Sequence, residues 1–128
     1  MQRARVLVVE DRAAIRTLVE VGLSQAGLEV QAVGGAVEAF GAIRARTPDL
    51  VVTDLVLPDG AGDGFIGALR ADPRTRALPV IVVSGLAGAA AVGSRAGADE
   101  CIAKPFDVDY LIDRVRFHLA SGGSSGTI

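Results

Sequence analysis

Three carboxylates, a hydroxyl and an ammonium stand at the ends of short apolar runs in this chain. Glu10-Asp11 follows residues 6–9, Asp54 follows 50–53, Ser84 follows 80–83 and Lys104 follows 101–103. Carboxylates gathered at one place repel one another and either protonate or recruit a cation. Mg²⁺ takes oxygen ligands and keeps several waters, so Glu10, Asp11 and Asp54 are candidate ligands, directly or through water. A carboxylate is also a nucleophile toward phosphorus, forming an aspartyl phosphate. Such a transfer depends on positioning and on neutralising the equatorial oxygens, for which Lys104 and a metal supply charge and Ser84 a hydrogen bond. Taken singly, each residue has an ordinary reading: the acid pair as a helix N-cap with a solvated neighbour, the others as turn chemistry. Their joint appearance at four strand ends sets them apart from those ordinary roles.

The elements that must hold these residues alternate in period. Val6-Leu7-Val8-Val9 is a β-branched run suited to a strand buried on both faces. Ile15, Leu18, Val19, Gly22 and Ala26 then recur at helical spacing, with Gly27 at the stop. Residues 28–33 read as a second strand, and Ala36, Phe40 and Ile43 as a helix face ended by Thr47-Pro48. Leu50-Val51-Val52-Thr53 is a third strand, and a loop with Pro58, Gly60, Gly62 and Gly64 leads to a helix with Phe65, Ala68 and Leu69 inward. Val80-Ile81-Val82-Val83 is the fourth strand, 87–95 a weak helix, and Cys101-Ile102-Ala103 the fifth strand. Val108, Leu111, Ile112, Val115 and Leu119 mark the clearest amphipathic helix. Strict strand–helix alternation implies an α/β fold with a parallel sheet, right-handed crossovers and helices on both faces. Ligands in such folds bind beyond the carboxyl ends of the strands, where strand order reverses.

Composition narrows the function classes. The chain has 128 residues, fits one domain and carries a formal charge of −2, without the basic footprint of a general nucleic-acid binder. Its single Cys excludes a disulfide framework and its single His a multi-His metal site. No apolar run approaches a membrane span and no signal-peptide pattern is present, so a cytoplasmic location is expected. The expected domain covers 1–120, followed by a flexible Gly/Ser-rich tail or linker at 121–128.

The chain resembles the receiver domains of bacterial two-component response regulators from residue 4 to about 120. The resemblance is carried by Val6-Leu7-Val8-Val9-Glu10-Asp11, by the run from Pro48 through Asp54 to Leu57-Pro58-Asp59-Gly60, by Val80-Ile81-Val82-Val83-Ser84-Gly85, and by Ala96-Gly97-Ala98-Asp99 leading to Lys104-Pro105-Phe106. It implies a flavodoxin-like (βα)5 fold with five parallel strands in the order 2-1-3-4-5. Asp54 is then the phosphoacceptor, Glu10 and Asp11 the metal acids and the Val56 backbone carbonyl a further Mg²⁺ ligand. Ser84 becomes the switch hydroxyl, Lys104 the phosphoryl contact, and the Lys104-Pro105 bond is cis. The implied function is a phosphorylation-dependent switch supplied by a sensor histidine kinase or phosphotransfer protein. Its only catalysis is its own phosphorylation and dephosphorylation. No direct nucleic-acid or membrane contact is expected.

Three rivals share parts of this pattern. A flavodoxin-like nucleotide binder needs a phosphate-cradling turn after strand one, where this chain has Glu10-Asp11. An Asp-dependent phosphatase needs a second acid two residues after the nucleophile, where Val56 stands. A receiver-like interaction scaffold that is never phosphorylated usually lacks a key residue, and none is missing. Two departures from the family matter. Cys101 replaces the usual aromatic, so ring-led switching is not available. Residues 85–94 carry no charge and include Gly88 and Gly93. We expect the face of the fourth helix, fifth strand and fifth helix to meet a partner or a second copy. Arg70, Arg74 and Arg76 read as solvated surface, and His118 as a cation near the end of the last helix. Val56 and Leu86, beside the acceptor and the hydroxyl, predict a long-lived phosphorylated form.

Overall fold

A computed structural model describes residues 3–125. The order is β1 (Arg5–Val9), α1 (Ala13–Gln25), β2 (Glu29–Val33), α2 (Ala36–Ala45), β3 (Leu50–Thr53), β4 (Val56–Leu57), β5 (Gly60–Ala61), α3 (Gly62–Ala71), β6 (Val80–Ser84), α4 (Ala89–Ala96), β7 (Glu100–Ala103) and α5 (Val108–Ser125). Five strands form a parallel sheet in the order β2-β1-β3-β6-β7, which is 2-1-3-4-5 when the main sheet is counted alone. β4 and β5 form a separate antiparallel hairpin in the region expected to be loop.

The two-residue period of the strands sorts the core into two layers. Leu7, Val9, Val51, Val80 and Val82 face α2, α3 and α4, where Ala39, Ile43, Phe65, Ile66 and Leu69 are buried. Val6, Val8, Leu50, Val52, Ile81 and Val83 face α1 and α5, where Val19, Leu23, Leu111 and Val115 are buried. Both faces of the sheet are covered, which explains why its inner strands β1, β3 and β6 read as near-continuous apolar runs, while the edge strands β2 and β7 carry polar residues.

Several helix faces differ from the sequence reading. α1 buries Val19 and Leu23, while Leu18 is 54% exposed. α3 buries Phe65, Ile66 and Leu69, and Ala68 faces solvent. α4 begins at Ala89 rather than 87, because Gly88 stops the helix in a left-handed conformation (φ 79°) that favours glycine. α5 runs to Ser125, so 121–125 of the expected tail is helical, and 126–128 lie outside the described residues. Extending an existing helix adds a hydrogen bond per residue, which offsets glycine's cost of about 1 kcal/mol near the end. His118 therefore lies well inside α5, where its Nε2 is 2.7 Å from Glu100 Oε1. Arg70 is not solvated surface. Its guanidinium donates to the carbonyls of Gly97, Arg76 and Leu78 and to Asp99 Oδ2, joining α3 to the end of α4 and the start of β7. Arg74 does remain on the surface, paired with Asp72.

Candidate functional site

The sheet register brings the chemically equipped strand ends together. Val9 pairs with Thr53, Thr53 with Val82, and Ser84 with Ala103. The parallel ladder then continues one residue further. Glu10 N–H donates to Val33 O (3.0 Å), Asp54 N–H to Val9 O (3.1 Å) and Lys104 N–H to Ser84 O (3.0 Å). The backbone of each functional residue is thus fixed by its neighbouring strand, at the β2-β1-β3 reversal and beside it.

The side chains converge as expected. Glu10, Asp11 and Asp54 each place a carboxylate oxygen within 4.8 Å of the others. Lys104 Nζ donates to Asp54 Oδ2 (2.7 Å) and Glu10 Oε1 (2.6 Å). Glu10 is only 1% exposed, and Asp54 is also buried, whereas Asp11 is open to solvent. The second oxygens are used as well: Asp54 Oδ1 accepts from Val56 N–H (3.1 Å), and Glu10 Oε2 from Arg12 N–H (3.0 Å). Lys104 and the Val56 amide together fix the rotation of the Asp54 carboxylate. Burial alone would pull the Lys104 ammonium down, but its bonds to Asp54 and Glu10 hold it above the usual lysine range.

Ser84 is buried at the end of β6, and its Oγ accepts from Leu86 N–H (3.2 Å). Asp11, Arg12, Asp54, Val56, Ser84, Gly85, Leu86 and Lys104 line an open cleft of about 340 Å³. Val56 and Leu86 are 57% and 50% exposed, so the lip of the cleft is apolar. Gly62 packs against the backbone of Asp54 and Leu55. A Cβ there would press on the Asp54 carbonyl oxygen and lie 2.6 Å from Leu55 Cα, so only glycine lets α3 start this close to Asp54.

Three carboxylates against one ammonium leave a formal charge of −2, which one divalent cation cancels. The donors are all oxygen, which suits Mg²⁺, and no hydrogen bond or ion pair engages the Asp11 carboxylate among the described residues. The residues therefore fit the metal. Lys104-Pro105 is cis. Cys101 sits in β7, half-buried against the α2–α4 layer, and burial pushes its thiol pKa up, away from reactivity.

Two site features were not anticipated from the sequence. Arg12 borders the cleft. Asp59, in the β4–β5 turn, accepts from Ala36 N–H (2.9 Å) and Val37 N–H (2.8 Å), capping α2 from outside its own segment and holding the Asp59 carboxyl below the usual range. The missing capping residue before α2, where Gly35 stands, was the available signal for the second.

A family model described as the response regulator receiver domain matches residues 6–116. The DNA-binding dual master transcriptional regulator RpaA of Synechocystis sp. is 35% identical over 114 residues, covering 88% of this chain and 47% of that protein. The DNA-binding response regulator MtrA of Mycobacterium tuberculosis is 34% identical over 119 residues, covering 91% of this chain and 51% of that protein. The chain spans about half the length of the curated relatives it matches. Among solved structures, a response regulator from Chloroflexus aurantiacus superposes with a TM-score of 0.89 at 31% identity, covering 93% of this chain and 99% of that one. NtrX from Brucella abortus superposes with a TM-score of 0.90 at 32% identity, covering 98% of this chain and 29% of that one.

Proposed function

The chain belongs to the response regulator receiver domain family, and from that premise we propose that it is a phosphorylation-controlled switch with Asp54 as acceptor and residues 1–120 as the switching unit. The observation that carries this reading is the convergence on Asp54: Lys104 Nζ at 2.7 Å and two further carboxylates within 4.8 Å, at the mouth of an open cleft.

Asp54, oriented by Lys104 and the Val56 amide, attacks the phosphorus of a phosphohistidine on a sensor kinase or phosphotransfer protein. The P–N bond breaks, and the imidazole keeps the electron pair and takes a proton from solvent. Lys104 turns from the Asp54 carboxylate to a phosphoryl oxygen, and the Ser84 hydroxyl donates to another. Glu10, Asp11 and Asp54, with the Val56 carbonyl, would hold Mg²⁺, which supplies charge neutralisation for the transferring group. The new bonds favour one of two conformations, and the α4–β7–α5 face carries that change to a partner, an output domain or a second copy. The reading includes no membrane or direct nucleic-acid contact by this chain and places it in the cytoplasm. Among the described residues no helix is long and apolar enough to cross a membrane.

The test is intact-mass measurement after treatment with acetyl phosphate, with and without Mg²⁺. One phosphoryl group should be gained only with the metal. Asp54→Asn should gain none while keeping its fold, and Glu10→Gln with Asp11→Asn should gain none and lose Mg²⁺ binding. A parent that gains nothing points instead to a receiver-like interaction scaffold.

A further inference from the structure

Arg12 sits where local helix chemistry disfavours it. It occupies the N-cap of α1 and makes no side-chain cap, and the first turn of α1 holds no acidic residue. Ser, Thr, Asp or Asn caps a helix start, and a cation there opposes the helix dipole. Residues that break a local rule without a local gain concentrate at functional sites.

Its placement gives that departure a use. The backbone of Arg12 is held on both sides: its N–H donates to Glu10 Oε2 (3.0 Å) and its carbonyl accepts from Arg16 N–H (2.9 Å). The guanidinium has no hydrogen bond or ion pair among the described residues, although Asp11 is its neighbour in sequence. Nearby Arg16 is committed to the Glu10 and Asp11 carbonyls. Arg12 also lines the same cleft as Asp54, Ser84 and Lys104. It is thus a cation with an anchored backbone and an unpaired side chain, lining both this cleft and the neighbouring one formed with Ile15, Leu18, Lys104, Pro105 and Phe106.

The charge balance defines what it would meet. With a divalent cation bound, the three carboxylates and Lys104 sum to zero, and an incoming phosphoryl dianion faces a neutral floor. Arg12 makes the mouth positive. Its planar fork matches two phosphate oxygens at once, which neither an ammonium nor a hydroxyl does.

We propose that Arg12 is a phosphoryl-contacting residue of this domain, taking peripheral oxygens of the phosphodonor as it enters the cleft; this rests on Asp54 being the acceptor. With an acyl phosphate, Asp54 attacks phosphorus, the P–O bond to the acyl group breaks, and the carboxylate leaves with the electron pair. No proton need move. Arg12 acts on two of the three non-bridging oxygens as the donor enters, lowering the donor concentration needed for half-maximal rate.

The experiment measures phosphorylation rate against acetyl phosphate concentration in excess Mg²⁺, for the parent, Arg12→Gln, Arg12→Lys and Arg74→Gln. Arg12→Gln should be slower by about tenfold at low donor, with a raised half-saturation point, and Arg12→Lys should recover part of the loss. Arg74→Gln removes the same charge from a surface pair outside the cleft and should match the parent. Thermal unfolding separates a structural role: Arg12→Gln should be as stable as the parent or more so, because a cation leaves a helix N-terminus. Unchanged kinetics in a phosphorylated parent and its Arg12 variants overturns this proposal alone. So does equal slowing by Arg74→Gln, which marks a long-range field, or a destabilised Arg12→Gln, which marks a structural residue. A parent that is not phosphorylated overturns the acceptor reading and this proposal together.

Discussion

At the scale of single residues, Val56 and Leu86 are expected to set the lifetime of the proposed phosphorylated state. Both line the cleft and both are about half exposed. Hydrolysis needs a water in line with the bond to Asp54, and neither side chain can orient one. Replacing them with polar groups, Val56→Asn together with Leu86→Glu, should speed loss of the phosphoryl group by about tenfold, followed by mass or radiolabel decay. Equal decay in the parent and the double variant would sink this account. Cys101 shows how far one residue was legible. A lone thiol in a short apolar run behaves as a small apolar residue, and Cys101 lies half-buried against the α2–α4 layer with its pKa raised by burial. What its position means for switching is that no ring is available to turn inward.

Among the elements, α4 is fastened by the Arg70 side chain at its end and by turn hydrogen bonds at its start. Arg70 binds the Gly97 carbonyl just past its last turn, and Asp99 Oδ2 accepts from Arg70 and from Val80 N–H. At its start stand Gly88 in a left-handed conformation and the exposed stretch 85–88, leading back to Ser84. A change at Ser84 is therefore expected to reach the start of α4 first, with Gly97 as the pivot. Hydrogen exchange should show rising protection across 85–94 on phosphorylation, with residues near Gly97 unchanged. Changes confined to the segment after Asp11 would place the response on α1 instead. Arg70→Ala should loosen the pivot and destabilise the fold by about 1–3 kcal/mol, read from denaturant unfolding. Arg74→Ala should have little effect, since an exposed ion pair contributes roughly 0–1 kcal/mol.

For the whole molecule, the ion cluster links stability to pH. Lys104 is held above its ordinary pKa by Asp54 and Glu10 against the pull of burial. Its contribution is therefore complete below the unfolded value of about 10.4 and is lost as pH rises through the higher folded value. Denaturant unfolding of the parent should show no loss from this source between neutrality and about pH 9, then a decline above the ordinary lysine value. Lys104→Met should lack that alkaline decline. It should also cost about 3–5 kcal/mol at neutral pH, because it leaves two buried carboxylates unpaired. The same cluster can drive switching. Moving a 1:99 equilibrium to 99:1 takes about 5.5 kcal/mol, and two or three charge-assisted bonds to a phosphoryl group, at about 1.5–3 kcal/mol each, supply it.

β1, β3 and β6 were legible because β-branched runs buried on both faces leave an unmistakable pattern, and each of these runs, like the shorter one in β7, ended one step before a chemical residue. That is why Glu10, Asp54, Ser84 and Lys104 could be read as one set before any distance was known. Type and order along the chain determined the α/β alternation, the candidate acceptor and the candidate metal acids. Helix faces were less legible: Leu18 and Ala68 were read as inward, yet Leu23 and Ile66 carry the burial, because the sheet's twist and the neighbouring helix decide which stripe is covered. Tertiary structure alone decided the β4–β5 hairpin, the capping of α2 by Asp59, the conversion of Arg70 from surface cation to internal fastener, and the presence of Arg12 at the mouth of the cleft. Apart from the β4–β5 hairpin, which is local, each depends on groups distant in sequence meeting in space, and local period and propensity carry no record of such meetings.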